Sequence, residues 1–264
     1  MSSELRILIL GDVIGRPGMR AVVSGLQALR RTHRADLAIV NGENADDGFG
    51  ISPEIADQLF RAGADVVTSG NHIWQHDNIE QVLDGERPVL RPANYPRGCP
   101  GRGIELLTHR NTPIAVVNLQ GRRRMPDIDC PFRKMRELQK KELAKSRVII
   151  VDFHAEATEE KEALALMLDG KVSLVFGTHT HIQTADEPIL PKGTAFITDI
   201  GATGPEDSVI GFDPSTSILR STTMVPHKNS VVDAPALIQG LLLRVDTDSG
   251  TALSIERIRE VSLV

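Results

Sequence analysis

Short apolar runs that end in polar turns are the feature that most constrains the fold of this chain. Residues 5–10, 36–40 and 65–69 have the length and composition of buried strands, whereas residues 17–33 and 52–63 carry apolar side chains at helical spacing. The second of these helices begins with Ser-Pro-Glu and ends at a glycine, which are typical start and stop signals. Strands that alternate with helices in this way predict a sheet of parallel strands covered by helices.

The rest of the chain adds strands and progressively fewer helices. Residues 85–103 are rich in Pro, Gly and Arg and predict a long loop, and residues 103–109 and 112–120 flank Arg-Asn-Thr as a hairpin would. Further helices are predicted at 131–146 and 159–168, and further strands at 147–153, 172–177, 194–201, 240–250 and 251–258. Since no repeat, low-complexity tract or linker interrupts the pattern, we expect one domain over residues 1–264, built from mixed sheets flanked by helices.

Composition narrows the class of protein. Aromatic residues make up 3% of the chain, so the core must consist of Leu, Ile, Val and Ala, which suits α/β layers. A net charge of −5 argues against a long nucleic acid as partner. The apolar stretch near the N-terminus is too short for a signal peptide or a membrane span, and no later window is long enough, so we expect a cytoplasmic protein with no membrane partner. A homo-oligomer is left open.

Side chains that can bind metal or transfer protons follow five of the predicted strands. Asp12 follows the first strand, Glu43 and Asn44 the second, Asn71 and His72 the third, His154 the strand at 147–153, and His179 and His181 the strand at 172–177. Ligands bind at the carboxyl ends of the strands in open α/β sheets. We therefore expect these side chains to meet at one edge of the fold.

Without His72, the set comprises two carboxylates, three imidazoles and two amides. It contains no thiolate and too few carboxylates for calcium, and imidazole favours transition metals. Seven ligands are too many for one tetrahedral zinc ion but fit two ions that share a carboxylate, as in two-metal phosphoryl-transfer sites. Two divalent cations, two carboxylates and a bridging hydroxide leave about one positive charge, which suits a phosphodiester monoanion.

Each of these residues also has an ordinary structural explanation. Asp12 could cap a helix, Asn71 could form a turn, and His154 could be a buried histidine with its hydrogen bonds satisfied. The His-x-His pair at 179–181 is more specific for metal, and the prediction depends on all these residues sharing one edge. His33, His76, His109 and His227 receive no role. The basic loop at 121–133 is either a solvated loop or a substrate lid in which Arg122–Arg124 meet phosphate.

Several of these motifs together resemble the calcineurin-like metallophosphoesterases. They are "GD" at 11–12, "NGEN" at 41–44, "GNH" at 70–72, the lone His154 and "GTHTH" at 177–181. The segments "RPANYP", "NLQGR", "HAEAT" and residues 178–211 resemble more closely the YmdB-like bacterial branch, over about residues 5 to 212. Ile14 stands where the wider superfamily usually has a histidine, and Glu43 stands in place of its bridging aspartate. Both departures are normal in the YmdB-like branch.

The resemblance implies a four-layer α/β/β/α sandwich with two metal ions, usually iron or manganese. One ion would be held by Asp12, Glu43, Asn44 and His181, and the other by Glu43, Asn71, His154 and His179. His72 would be the general acid, and the activity would be that of a phosphodiesterase acting on small phosphodiesters, notably 2′,3′-cyclic nucleotides. Two alternatives are a metal-stabilised regulatory protein with little turnover and a phosphomonoesterase, which would need additional cations such as Arg122–Arg124.

Overall fold

Two β-sheets with helices on their outer faces make up the computed structural model, which describes residues 4–262. Within that range the strands are β1 (Glu4–Leu10), β2 (Asp12–Val13), β3 (Leu37–Asn41), β4 (Val66–Thr68), β5 (Ile104–His109), β6 (Thr112–Gln120), β7 (Val148–His154), β8 (Leu174–Thr178), β9 (Ala195–Ile197), β10 (Ala202–Pro205), β11 (Ala236–Asp246) and β12 (Ala252–Val261). The helices are α1 (Gly15–His33), α2 (Pro53–Ala62), α3 (Ile79–Leu83), α4 (Pro131–Lys140), α5 (Thr158–Leu168) and α6 (Pro214–Thr223).

Both sheets are mixed, as predicted. The first has the strand order β2-β10-β11-β1-β3-β4, with β12 also paired to β11. Its strands β1, β3 and β4 are parallel, whereas β11 runs antiparallel to β1 and places Gly240 opposite Leu10. The second sheet has the order β5-β6-β7-β8-β9, in which β5 and β6 form the predicted hairpin and β6 to β9 are parallel.

Three separate apolar clusters show that the fold has four layers. Alternate residues of β1 face opposite ways, so Leu8 packs with the residues of α1 and α2 while Ile7 packs between the two sheets. A third cluster fills the space between the second sheet and the helices α4 and α5, with Val151 and Leu164 among its members. Each fully buried Leu or Ile contributes roughly 1.5–3 kcal/mol to stability. The predicted α/β/β/α sandwich is confirmed.

The ends of α2 follow directly from its sequence. The Ser52 hydroxyl accepts a hydrogen bond from the Ile55 backbone N at 3.5 Å, and Pro53 occupies the first turn. The helix stops at Gly63, whose φ of 110° is a left-handed conformation that residues with a side chain rarely adopt. The helix predicted at 52–63 is therefore confirmed to within a residue at each end.

Several elements differ from their predictions, among them β11, which begins at Ala236 and ends at Asp246 where the sequence predicted a strand at 240–250. The helix predicted at 131–146 ends at Lys140, because the chain turns there to bury Leu143. The strand predicted at 194–201 breaks after Ile197, where the chain leaves the second sheet and enters the first as β10. Neither α3 nor α6 was predicted; α3 has only five residues, and α6 has no buried residue and hence no apolar stripe. The helices within residues 4–262 all lack the combination of length and apolarity that crossing a bilayer requires.

Candidate metal centre

The eight side chains predicted at the strand ends lie in one connected cluster. His154 is at its centre: its Nε2 lies 3.1 Å from Asn71 Oδ1, 3.1 Å from His179 Nδ1 and 3.4 Å from Glu43 Oε1. Asp12 Oδ2 accepts from the His179 backbone N at 3.0 Å, and Asn44 contacts both His181 and His72 at 2.9 Å. The His72 backbone N donates to Glu43 Oε1 at 2.6 Å and so joins this second group to the first. The structure thus brings all eight together, and none lies on another face.

Glycines beside the ligand candidates permit this close approach. A Cβ on Gly11 would lie 2.0 Å from the Gly201 carbonyl oxygen, so only glycine lets the chain turn from β1 to Asp12 at this place. A Cβ on Gly70 would lie 2.1 Å from the imidazole of His154. The absent side chain at position 70 therefore makes the space that the His154 ring fills.

Two carboxylate oxygens in the cluster are buried without a hydrogen-bond donor. Asp12 and Glu43 are both completely buried, and Asp12 Oδ1 and Glu43 Oε2 contact no donor group. An unpaired buried charge is costly, so such oxygens require either a proton or a cation. Burial raises the pKa of Asp12 to about 7, with a contribution from the nearby Asp199 carboxylate, and raises the pKa of Glu43 well above its usual value.

Hydrogen bonds fix the tautomer of His154. The Thr178 hydroxyl donates to Asp152 Oδ1 at 2.8 Å, so it can only accept from His154 Nδ1, which lies 2.9 Å away. Nδ1 therefore carries the proton, and Nε2 presents a lone pair to the oxygens of Asn71 and Glu43. A lone pair that faces two acceptor oxygens is the arrangement that a cation stabilises, and a hydrogen bond from the second ring nitrogen is usual for metal-binding histidines.

The other two imidazoles also turn one nitrogen into the cluster. His181 Nδ1 donates to the Ile210 carbonyl oxygen at 3.0 Å, which leaves the Nε2 lone pair directed at Asn44. His179 Nε2 lies 3.5 Å from a Glu156 carboxylate oxygen, so Nδ1 is the atom directed at His154. Burial lowers the pKa of His179 to about 4 and lowers that of His154 well below its usual value, so both rings are neutral, as metal binding requires.

The donor set fits transition-metal ions, although its side chains contact one another directly. Within residues 4–262 no three His, Cys, Asp or Glu side chains surround a common ion position. The fit instead comes from the unpaired oxygens of Asp12 and Glu43 and from the converging imidazole lone pairs, a mixed oxygen and nitrogen set that suits transition metals.

Sequence reasoning missed the residues that support this cluster from behind. Asp152, Thr178, Lys161 and Asp199 are all buried and hydrogen-bonded next to the predicted ligands. Asp152 accepts hydrogen bonds from Thr68, Thr178 and Asn41. A charged residue inside the apolar run at 147–153 was the available signal, because an aspartate in a strand that is buried on both faces needs such partners.

The unassigned histidines and the basic loop lie in ordinary surroundings. His33 lies 3.6 Å from Glu260, and His109 lies 3.3 Å from Asp36. The loop after β6 is tied to the start of α5, since the backbone N atoms of residues 122 and 123 donate to the Glu160 carboxylate. The guanidinium of Arg123 pairs with Glu159 at 2.8 Å. Contact between this loop and a substrate stays a prediction.

Two back-to-back mixed sheets with a cluster of carboxylate, amide and imidazole groups at their strand ends define a metallophosphoesterase-like protein. A solved NAD nucleotidase of Haemophilus influenzae shares this fold, with a TM-score of 0.61 and 17% identity over 98% of this chain and 56% of that one. The chain belongs to the YmdB-like protein family, whose model matches residues 8–258.

Two relatives match nearly the whole chain. The chain is 43% identical over 254 residues to a 2′,3′-cyclic-nucleotide 2′-phosphodiesterase of Bacillus subtilis, covering 96% of each protein. The solved structure of a novel phosphatase from Mycoplasma pneumoniae superimposes with a TM-score of 0.93 at 34% identity, covering 99% of this chain and 95% of that one. These matches confirm the predicted family and the prediction that the chain is an enzyme of the phosphoric ester hydrolase class.

Proposed function

We propose that this protein hydrolyses small phosphodiesters, with 2′,3′-cyclic nucleotides as the substrate class, and that it does so with two bound transition-metal ions. The observation that carries the proposal is the single cluster in which His154 Nε2 faces Glu43, Asn71 and His179 within 3.4 Å. The similarity to the Bacillus subtilis 2′,3′-cyclic-nucleotide 2′-phosphodiesterase supports the choice of substrate.

The ligands divide into two overlapping sets. Asp12, Glu43, Asn44 and His181 would hold one ion, and Glu43, Asn71, His154 and His179 would hold the other, so Glu43 is shared. The partner-free oxygens Asp12 Oδ1 and Glu43 Oε2 are available for this purpose. When bound, such a metal pair supplies charge neutralisation for a phosphodiester and a water molecule acidic enough to act as nucleophile near neutral pH.

His72 is the proposed general acid for the leaving alkoxide. Its backbone N donates to Glu43 Oε1 at 2.6 Å, and its Nδ1 donates to Asn44 Oδ1 at 2.9 Å, so the ring is oriented by two proposed ligands. The ring is partly exposed, unlike that of His154, and can therefore reach a substrate. Burial lowers the pKa of His72, with a smaller electrostatic contribution from the neighbouring His181, which makes the protonated ring of His72 a stronger acid.

A diester suits the surroundings better than a monoester. A phosphomonoester dianion needs more positive charge than a diester, and within the basic loop Arg123 already pairs with Glu159. The Glu156 carboxylate beside His179 adds negative charge at the rim. The site therefore favours a substrate with a single negative charge.

The test is a substrate panel on the metal-replete chain, together with measurement of the metal content. We expect about two ions per chain, rapid hydrolysis of 2′,3′-cyclic AMP, slower hydrolysis of bis-p-nitrophenyl phosphate, and little hydrolysis of p-nitrophenyl phosphate. Two bound ions without turnover of any diester would contradict the proposal and favour a metal-stabilised regulatory protein. Cytoplasmic location and the single-domain organisation stay predictions.

A further inference from the structure

Lys161 and Asp199 form a buried ion pair beneath the turn that carries His179 and His181. The Lys161 side chain is completely buried, and its Nζ donates to Asp199 Oδ2 at 2.8 Å and to the Thr178 carbonyl oxygen at 3.0 Å. Lysine is almost never fully buried unless it is paired. The pair lies outside the proposed ligand set, so its presence needs a separate reason.

The Asp199 carboxylate holds the other side of the same turn. Its Oδ2 accepts hydrogen bonds from the Thr180 backbone N at 3.2 Å and from the Thr180 hydroxyl at 2.9 Å, and its Oδ1 accepts one from the Gly201 backbone N at 2.9 Å. Thr178 is thus anchored through Lys161, and Thr180 is anchored through Asp199. His179 lies between two residues that are tied to one ion pair.

The turn needs such anchoring because its backbone is strained. His179 has a φ of 97° and His181 a φ of 64°, in the left-handed region that residues other than glycine seldom adopt. Conformations of this kind persist only where the surrounding structure imposes them. Both imidazoles lie in the cluster, and the hydrogen bonds to Thr178 and Thr180, together with the one from the His179 backbone N to Asp12, hold the turn in this conformation.

Gly177 shows that the fold makes room for the lysine. A Cβ at this position would lie 2.8 Å from Lys161 Cδ and 1.8 Å from the Thr198 carbonyl oxygen. The lysine stem therefore passes closely beneath the end of β8. Replacing a buried ion pair with apolar residues is often neutral or even stabilising, so stability alone does not account for a lysine in this place.

We propose that Lys161 and Asp199 are positioning residues, which hold the His179–His181 turn in the conformation that binds metal. This inference rests on the proposed function, because it takes His179 and His181 to be metal ligands. Neither residue would contact an ion or the substrate. Their effect would act through the geometry of the two imidazoles, and hence through metal affinity.

The experiment compares metal affinity with the stability of the metal-free fold. The variant with Lys161→Met and Asp199→Asn removes both charges while nearly preserving side-chain size. Equilibrium dialysis against graded Mn(II), with metal content measured by mass spectrometry, should show binding weakened about 10- to 100-fold, the usual effect of losing such supporting contacts. The melting temperature of the metal-free protein should stay close to that of the wild type.

A milder variant keeps the test decisive if the double variant does not fold. Thr180→Val preserves the shape of a partly exposed residue and removes only the hydroxyl that donates to Asp199. It should also weaken Mn(II) binding, but by a smaller factor than the double variant. Arg244→Met is the matched control, since it breaks an ion pair with Glu4 of 2.7 Å at the opposite end of β1 and should leave Mn(II) binding unchanged.

Different outcomes separate the two proposals. If the wild type binds two ions and both variants bind Mn(II) as tightly, the positioning role is wrong while the proposed function stands. A fall in the melting temperature of the metal-free variants with unchanged Mn(II) affinity would likewise leave only a structural role. If the wild type binds no metal under any condition, the proposed function itself fails.

Discussion

The two sheets contribute different chemistry to the same cluster. The first sheet delivers the oxygen-bearing side chains of Asp12, Glu43, Asn44 and Asn71, whereas the proposed ligands from the second are all imidazoles, those of His154, His179 and His181. Burial acts oppositely on the two groups: it raises the pKa of the carboxyls and lowers that of the imidazoles. The cluster is therefore incomplete on either sheet alone, and packing the sheets face to face is what assembles it.

Glu43→Gln should have the largest effect, because it removes the anion that both proposed ions share. We expect metal content to fall from two ions toward none and diester hydrolysis to fall by at least about 10²-fold. The measurement is elemental analysis after dialysis, with turnover of 2′,3′-cyclic AMP. Loss of only one ion would show that Glu43 does not bridge.

His179→Ala tests the second sheet and should have the next largest effect. This imidazole belongs to only one proposed ligand set, so metal content should fall toward one ion per chain. The same dialysis and elemental analysis measure it. Two retained ions would remove His179 from the ligand set, and loss of both ions would mean that the sets overlap at more than Glu43.

His72→Ala should leave both ions in place yet lower kcat for 2′,3′-cyclic AMP by about 10²-fold, as expected when the acid for a poor leaving group is lost. A diester with a p-nitrophenolate leaving group should suffer less, because that group departs without a proton. His76→Ala is the matched control on the same loop; the imidazole of His76 lies 2.7 Å from the Phe49 carbonyl oxygen and has no assigned role. Equal losses in both variants would contradict the acid role.

Asp12→Asn should change the stability of the metal-free protein in a pH-dependent way. In the metal-free protein the pKa of Asp12 is raised from 3.8 to about 7. Between pH 3.8 and about 7 the unfolded chain has lost the proton that the folded chain retains. The free energy of unfolding therefore falls progressively as pH rises through this range. The variant should therefore be more stable than the wild type at pH 8, by a few kcal/mol at about 1.4 kcal/mol per pKa unit, and no more stable at pH 4.

The variant must be compared with the wild type at each pH, because the imidazoles make stability depend on pH in the opposite sense. The lowered pKa values of His154 and His179 mean that the unfolded chain binds protons first as pH falls below about 6.5. Their contribution to stability is therefore lost in acid, while that of Asp12 is lost in base. Thermal denaturation of metal-free protein across this range measures the difference, and a gain that does not depend on pH would contradict the raised pKa of Asp12.

Much of this architecture could be predicted from the sequence because strand ends and glycines give local signals. The apolar runs located β1, β3, β4, β7 and β8, and all eight polar residues at their ends proved to lie together. The supporting residues could not be predicted, because Thr178 and Lys161 acquire partners only when distant elements pack. Likewise α6, which buries no side chain, leaves no apolar periodicity in the sequence.

The close packing of Gly70 against the His154 ring affects how function is inferred for relatives of this protein. Any side chain at that position would occupy the volume of the His154 ring, so a relative could keep every ligand and still be unable to seat the central imidazole. A check of the proposed ligand residues alone would class such a protein as active. Inspection of position 70 would identify it as a protein in which the histidine cannot lie where His154 lies here.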